Sequence, residues 1–173
     1  APLYQQESNI RLWAGHLEAP RSLKDALSGM MVEPLVPVPP EVFSAKPSYH
    51  DFKAGATLNP QPGISIRTVA LNHPNGATGY RVDWGGKSIC YITDCEHDGK
   101  GPDRGIVDLV KGADIFIYDS TYTDDEYPKF KGWGHSTWQE GARIADAAGV
   151  KTFVIFHHDP SHIDDVMDSI AAE

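Results

Sequence analysis

From residue 64 onward the hydrophobic positions follow two alternating periods, one of strands and one of helices. Ile64-Ser65-Ile66-Arg67-Thr68-Val69-Ala70-Leu71 alternates with the period of a strand and runs out at Asn72-His73. Tyr80 to Trp84 and Lys87 to Asp94 flank Gly85-Gly86, and two glycines between alternating runs predict a tight hairpin. A helix is expected from Asp103 to Lys111, followed by an apolar strand from Ala113 to Tyr118 that ends at Asp119. Ser136-Thr137-Trp138-Gln139 fits a capping box, with Ser136 at the cap and Gln139 three later. The helix it opens runs to about Ala148, presents Trp138, Ala142, Ala145 and Ala148 on its apolar face, and stops at Gly149. A strand from Thr152 to Phe156 and a helix from Ile163 to about Ala171 complete the pattern. Before residue 64 the signal is weaker. It predicts a strand at Ile10 to Ala14, a helix from Leu23 to about Met31 capped by Ser22, and a short edge strand at Ser48 to Phe52. Between these, the four prolines of residues 34–40 predict an extended surface loop. A β-rich middle followed by alternating α and β describes an α/β fold, a layered sheet with outer helices.

Four apolar strands in this pattern finish on a histidine or an aspartate: His73, Asp94, Asp119 and His157. Open α/β sheets carry their chemistry outside the carboxyl ends of the strands, so the four ends predict one convergent site. Imidazole and carboxylate donors suit zinc, manganese or iron(II). The last strand empties into His157-His158-Asp159-Pro160-Ser161-His162. Either His157 or His158 can serve as a ligand, and strand register favours His157, the first residue past the strand. Asp159 is a candidate to orient a ligand histidine. His135 stands next to a capped helix start, where the dipole opposes protonation. It is expected to be neutral and to contact a phosphate or give up a proton when negative charge develops; the plainer alternative is a hydrogen bond to backbone. Glu96 and His97 read as part of a flexible exposed loop, and His16 and His50 as surface residues. Residues 121–134 form a long loop with Tyr122, Tyr127, Phe130 and Trp133, a candidate lid or specificity element.

Composition narrows the setting. With 173 residues and 40% hydrophobic positions, a single domain with a normal core is expected. The balance of 15 basic against 24 acidic residues, net −9, argues against broad nucleic-acid binding. A phosphate-bearing substrate stays compatible, because a bound cation can invert the local field. No apolar run reaches the roughly 20 residues of a membrane helix. Cys90 is expected to pack as a small hydrophobe, and two cysteines without a repeated spacing suit a reducing, cytoplasmic compartment.

Four segments together resemble the metallo-β-lactamase superfamily, and within it the phosphodiesterase-like branch with the tRNA 3′-processing nucleases. Leu71-Asn72-His73 followed by Gly79-Tyr80-Arg81-Val82 is similar to the third-motif histidine strand and its successor. Tyr91-Ile92-Thr93-Asp94 is similar to the segment that supplies a bridging aspartate. Gly134-His135-Ser136-Thr137 resembles a helix-start histidine motif, and Phe153 to His157 the last ligand strand. The resemblance implies metal ligation by His73, Asp94 and His157, with Asp94 bridging up to two divalent ions, zinc first among them. It implies catalytic roles for His135, at the scissile phosphate or leaving group, and for Asp94. The implied activity is hydrolysis of a small-molecule or nucleotide phosphodiester by a metal-activated hydroxide.

The resemblance also has a gap. The His-x-His-x-Asp-His signature of the superfamily does not occur, so the chain is similar to the C-terminal two-thirds of such an enzyme. The expectation is an incomplete αββα sandwich without its first strands and main ligand loop, weakly active or inactive alone. Its exposed sheet edges would favour a homo-oligomer or association with the missing N-terminal segment. The alternative is a non-catalytic, degenerate or truncated module that acts in assembly or binding. A third reading is an unrelated α/β domain with one mononuclear metal.

Overall fold

The computed structural model describes residues 2–17, 19–34 and 36–173, so the residue-35 part of the proline-rich prediction lies outside the described residues. The chain divides into two compact units, residues 1–54 and 55–173. In the first, β1 (Arg11–Ala14) pairs in parallel with β2 (Ser48–Asp51). Helix α1 (Leu23–Met30) starts where Ser22 Oγ accepts from the Asp25 amide, as its sequence predicts. The ring of Trp13 stacks on that of His50 at 4.3 Å.

The second unit is built on a six-stranded sheet in plain sequence order: β3 (Thr57–Gln61), β4 (Ile64–Leu71), β5 (Ala77–Trp84), β6 (Lys87–Ile92), β7 (Ile115–Asp119) and β8 (Phe153–Phe156). Strand β3 has no clean alternation in the sequence and carries Pro60, which a strand tolerates at a sheet edge. Helix α2 (Arg104–Val110) crosses from β6 to β7, and α3 (Trp138–Ala148) from β7 to β8. Helix α4 (Asp164–Ala171) follows β8.

Strand direction places the site. β4 and β5 are antiparallel, as are β5 and β6, so β4 and β6 run the same way. β6, β7 and β8 are parallel. The C-terminal ends of β4, β6, β7 and β8 therefore share one edge, and His73, Asp94, Asp119 and His157 follow from it.

One face of the sheet is covered. Cys90, Ile92, Phe116 and Tyr118 are almost fully buried against Ile106, Val110, Ile144 and Ala148 of the two crossover helices. Gly141 lets α3 lie directly on the sheet: a Cβ there would sit 2.5 Å from Cζ of Phe153. The opposite face carries Ile89, Tyr91, Ile115, Val154 and Phe156, all exposed. Register brings Ile89 beside Ile115, and Tyr91, Ile117 and Val154 into one row. Both cysteines are buried thiols without a disulfide, and burial pushes the Cys90 pKa up to about 11.

Candidate metal centre at the strand edge

Three side chains meet at this edge. Ligand atoms of Asp94, His135 and His157 all lie within 4.8 Å of one another, the geometry of a group that could hold a metal ion. Nε2 of His157 is 3.8 Å from Oδ1 of Asp94. The rings of His135 and His157 stack at 4.8 Å. Asp94 and His157 both have left-handed backbone, with φ of 56° and 65°. Asp and His enter this region more readily than most L-residues.

The buried carboxylate of Asp119 organises the cluster. Its Oδ2 accepts from the amides of Asp94 and Cys95 at 3.0 and 3.4 Å and bonds Nδ1 of His135 at 3.0 Å. Its Oδ1 accepts from the amides of Thr121 and Ser136 and from the Thr121 hydroxyl, the last at 2.7 Å. The Thr121 hydroxyl can give its proton to Asp119 Oδ1 or to the His157 carbonyl, at 2.7 and 2.8 Å, and can accept from Nδ1 of His157 at 3.0 Å. Both histidines thus spend Nδ1 on support, which leaves Nε2 for the site. A metal-binding histidine is oriented in the same way through its other nitrogen. One carboxylate and two oriented imidazoles fit zinc, manganese or iron(II) by donor chemistry.

The hydrogen bond to Asp119 raises the pKa of His135, against the opposing effect of burial. The sequence predicts a neutral histidine from the helix dipole. Two features of the structure push the other way. The helix cap is Thr137, whose Oγ1 accepts from the Glu140 amide, so His135 stands one residue further out than predicted. A buried carboxylate is also a full charge at 3.0 Å, whereas the dipole end is a partial one.

Ser136, read as the cap, is instead fully buried and bonds Tyr118 Oη and His97 Nδ1. Asp159 does not orient a histidine; its carboxylate accepts from the Ser161 amide and hydroxyl in the turn before α4. His162 bonds Glu126 at 3.0 Å and ties that turn to the aromatic loop. Burial lowers the pKa of His158, which favours its neutral form.

His73 lies outside the three-residue cluster. Its ring centroid is 6.2 Å from that of His135, and its Nδ1 accepts from the Asn75 amide at 3.3 Å. It packs against Gly134, where a Cβ would come within 2.3 Å of the imidazole. Glu96 and His97 are not part of an exposed loop. The Glu96 carboxylate accepts from the amides of Gly132 and Gly134, and its backbone exchanges two hydrogen bonds with Asn72. His97 stacks on Tyr127 at 4.0 Å, and its carbonyl accepts a short hydrogen bond from Tyr127 Oη. The spacing of Glu96 from Asp94 carries no hint of this role, because its partners come from residues 72, 127, 132 and 134.

A sheet with parallel crossovers, whose strand ends gather carboxylate and imidazole donors, is an α/β fold of the kind the sequence resembles. Residues 5–158 match the family described as beta-lactamase superfamily domain, and the chain belongs to that superfamily. Ribonuclease Z of Brevibacillus brevis is 34% identical over 80 residues, covering 46% of this chain and 24% of the relative. Among solved structures, the short form of human tRNase Z has a TM-score of 0.68 at 21% identity, covering 89% of this chain and 62% of that one. Zinc-bound PqqB of Methylobacterium extorquens has a TM-score of 0.67 at 20% identity, covering 98% and 62%. The chain spans less than half the length of the curated ribonuclease Z relatives it matches, 24% of one and 44% of another.

Proposed function

We propose that this chain carries the Asp94–His135–His157 part of a metal-dependent hydrolase acting on phosphodiesters, with a nucleic-acid or nucleotide substrate. The observation that carries the proposal is the convergence of the three ligand atoms within 4.8 Å on an edge organised by one buried carboxylate. The ribonuclease Z relatives support a nucleotide-containing substrate.

Asp94 and His157 would hold the metal, zinc being the first candidate, with His73 completing a neighbouring position as the resemblance implies. When bound, the metal supplies Lewis acidity and lowers the pKa of a water. His135 is better suited to moving a proton than to binding the ion. Asp119 holds Nδ1 of His135 at 3.0 Å, and the resemblance places this histidine at the scissile phosphate or leaving group, which fits this role. From Nε2, His135 can give a proton to the leaving oxygen while Asp119 stabilises the charge on the ring. The net charge of −9 argues against an extended basic footprint, so contact with the substrate is expected to be local. Two buried, unpaired thiols suit a reducing, cytoplasmic compartment.

Titration of the purified chain with zinc, followed calorimetrically, tests the proposal. One to two ions per chain, binding lost in Asp94→Ala and His157→Ala, and chelator-sensitive cleavage of a phosphodiester are expected. Weak turnover by the isolated chain fits a ligand set without the His-x-His-x-Asp-His loop. No zinc binding would overturn the proposal in favour of a non-catalytic module. One observation favours an assembly role beside catalysis: the exposed apolar face of Ile89, Tyr91, Ile115, Val154 and Phe156 suits burial against a second copy. Sedimentation would then show a dimer that Tyr91→Lys dissociates.

A further inference from the structure

The aromatic loop offers a ring platform beside His135. A chain of aromatic contacts leads outward from that histidine. Tyr122 meets His135 edge-on at 6.4 Å, Phe130 stacks on Tyr122 at 4.4 Å with the rings 4° from parallel, and Trp133 meets Phe130 edge-on at 5.5 Å. Tyr122 is 4% exposed, whereas Trp133, at the outer end, is 63% exposed.

The indole is open to solvent, yet the backbone beneath it is fixed. Three consecutive amides are held: Gly132 and Gly134 donate to the Glu96 carboxylate, and Trp133 donates to the Phe130 carbonyl at 3.1 Å. Gly132 and Gly134 both have φ of 89°, which lets the chain fold round the carboxylate. Glu96 is anchored in turn to Asn72, beside His73, and lies two residues from Asp94. One carboxylate therefore ties the platform to the strand ends that carry the site. Lys129 and Lys131 are exposed on the same loop, the second with its Nζ 5.6 Å from the Tyr127 ring centroid.

An exposed indole on a fixed backbone, two residues from the proposed proton donor, fits a planar substrate ring. We infer that Trp133 stacks on a nucleobase next to the scissile phosphate, with Glu96 as the residue that positions it. The substrate is thereby a phosphodiester that carries a base. This rests on the phosphodiesterase reading above and sharpens it. Base–aromatic stacking tolerates any base, so the inference predicts selection for the presence of a base, not for its identity.

The test compares two ligands on the zinc-loaded full chain: a deoxyadenosine dinucleotide and the same diester with both bases replaced by hydrogen. Dissociation constants are measured by calorimetry for the wild type, Trp133→Ala, Trp133→Phe, Glu96→Ala and Trp84→Ala. The wild type should prefer the base-bearing ligand by about tenfold or more. Trp133→Ala should abolish most of that preference, and Trp133→Phe should restore much of it. Glu96→Ala should weaken the preference and speed hydrogen exchange at the amides of Gly132 and Gly134. Trp84, 67% exposed on the β5–β6 hairpin at the other end of the sheet, serves as control, and its removal should leave the preference intact. Equal wild-type affinity for the two ligands, or an unchanged preference in Trp133→Ala, overturns the inference while the phosphodiesterase reading stands. Failure to bind either diester overturns both.

Discussion

Strand β7 is bracketed by two aspartates that lead opposite lives. Asp114, just before the strand, accepts from the Ser88 amide and hydroxyl and pairs with Lys151 at 2.8 Å and Lys87 at 3.5 Å. Asp119, at its end, is fully buried and has no lysine or arginine; its partners are four amides, a hydroxyl and an imidazole. At Asp114 the negative charge is neutralised where it stands, next to solvent. At Asp119 it is passed to His135 and, through Thr121, to the support of His157. The same residue type therefore closes a sheet at one end and prepares a reactive edge at the other. The difference is whether lysines or the amides, hydroxyl and imidazole of the site surround the carboxylate.

The largest effect is expected from Asp119→Ala. It would leave four amides and Nδ1 of His135 without their shared acceptor, at a cost of about 3 kcal/mol or more in urea unfolding. Zinc affinity should fall with it, by roughly 10–100-fold. A loss under about 1 kcal/mol would show that the two ends of β7 do not differ as described.

Thr121→Val should have a smaller and more selective effect. The valine keeps the shape but cannot bridge Asp119 and His157, so zinc binding should weaken by about tenfold while stability falls by about 1–2 kcal/mol. Unchanged zinc affinity in a folded Thr121→Val chain would remove Thr121 from the support of the site.

Asp114→Asn should matter least, and its effect should depend on salt and pH. The pairing with Lys151, followed by the Ser88 amide, holds the Asp114 carboxyl well below its usual range. A depressed carboxyl pKa stabilises the fold above the unfolded value, near pH 4, and that contribution is lost as pH falls toward the folded value. The difference in melting temperature between wild type and Asp114→Asn should thus be present at pH 7, shrink below pH 4, and shrink in 1 M salt at pH 7. A difference that persists at pH 2 would assign the effect to packing instead of charge.

Much of the second unit could be read along the chain. Alternation marks β4, the Gly85-Gly86 hairpin and the apolar runs of β7 and β8, because a strand's side-chain period is local. The same pattern shows His73, Asp94, Asp119 and His157 at strand ends. What it misses depends on partners distant in sequence. Ser136 reads as the cap, and only the buried Tyr118 and half-buried His97 beside it show that its hydroxyl is taken and that Thr137 caps the helix. Glu96 lies among charged and polar neighbours and reads as loop until residues 127–134 fold back onto it.

The sequence alone determined the α/β order, the donors at four strand ends and the acidic balance that argues against a broad basic footprint. These are local or compositional properties that no packing can change. Tertiary structure decided which donors meet, which nitrogen each histidine presents and which carboxylate governs them. Strand direction brought the four ends to one edge. Burial then left Asp119 no partner but the amides, hydroxyl and imidazole that converge on it from residues 94, 95, 121, 135 and 136. A hydrogen bond between residues 119 and 135 leaves no trace in the periodicity of either segment, so His135 could be seen as a candidate but not as a histidine held toward its protonated form.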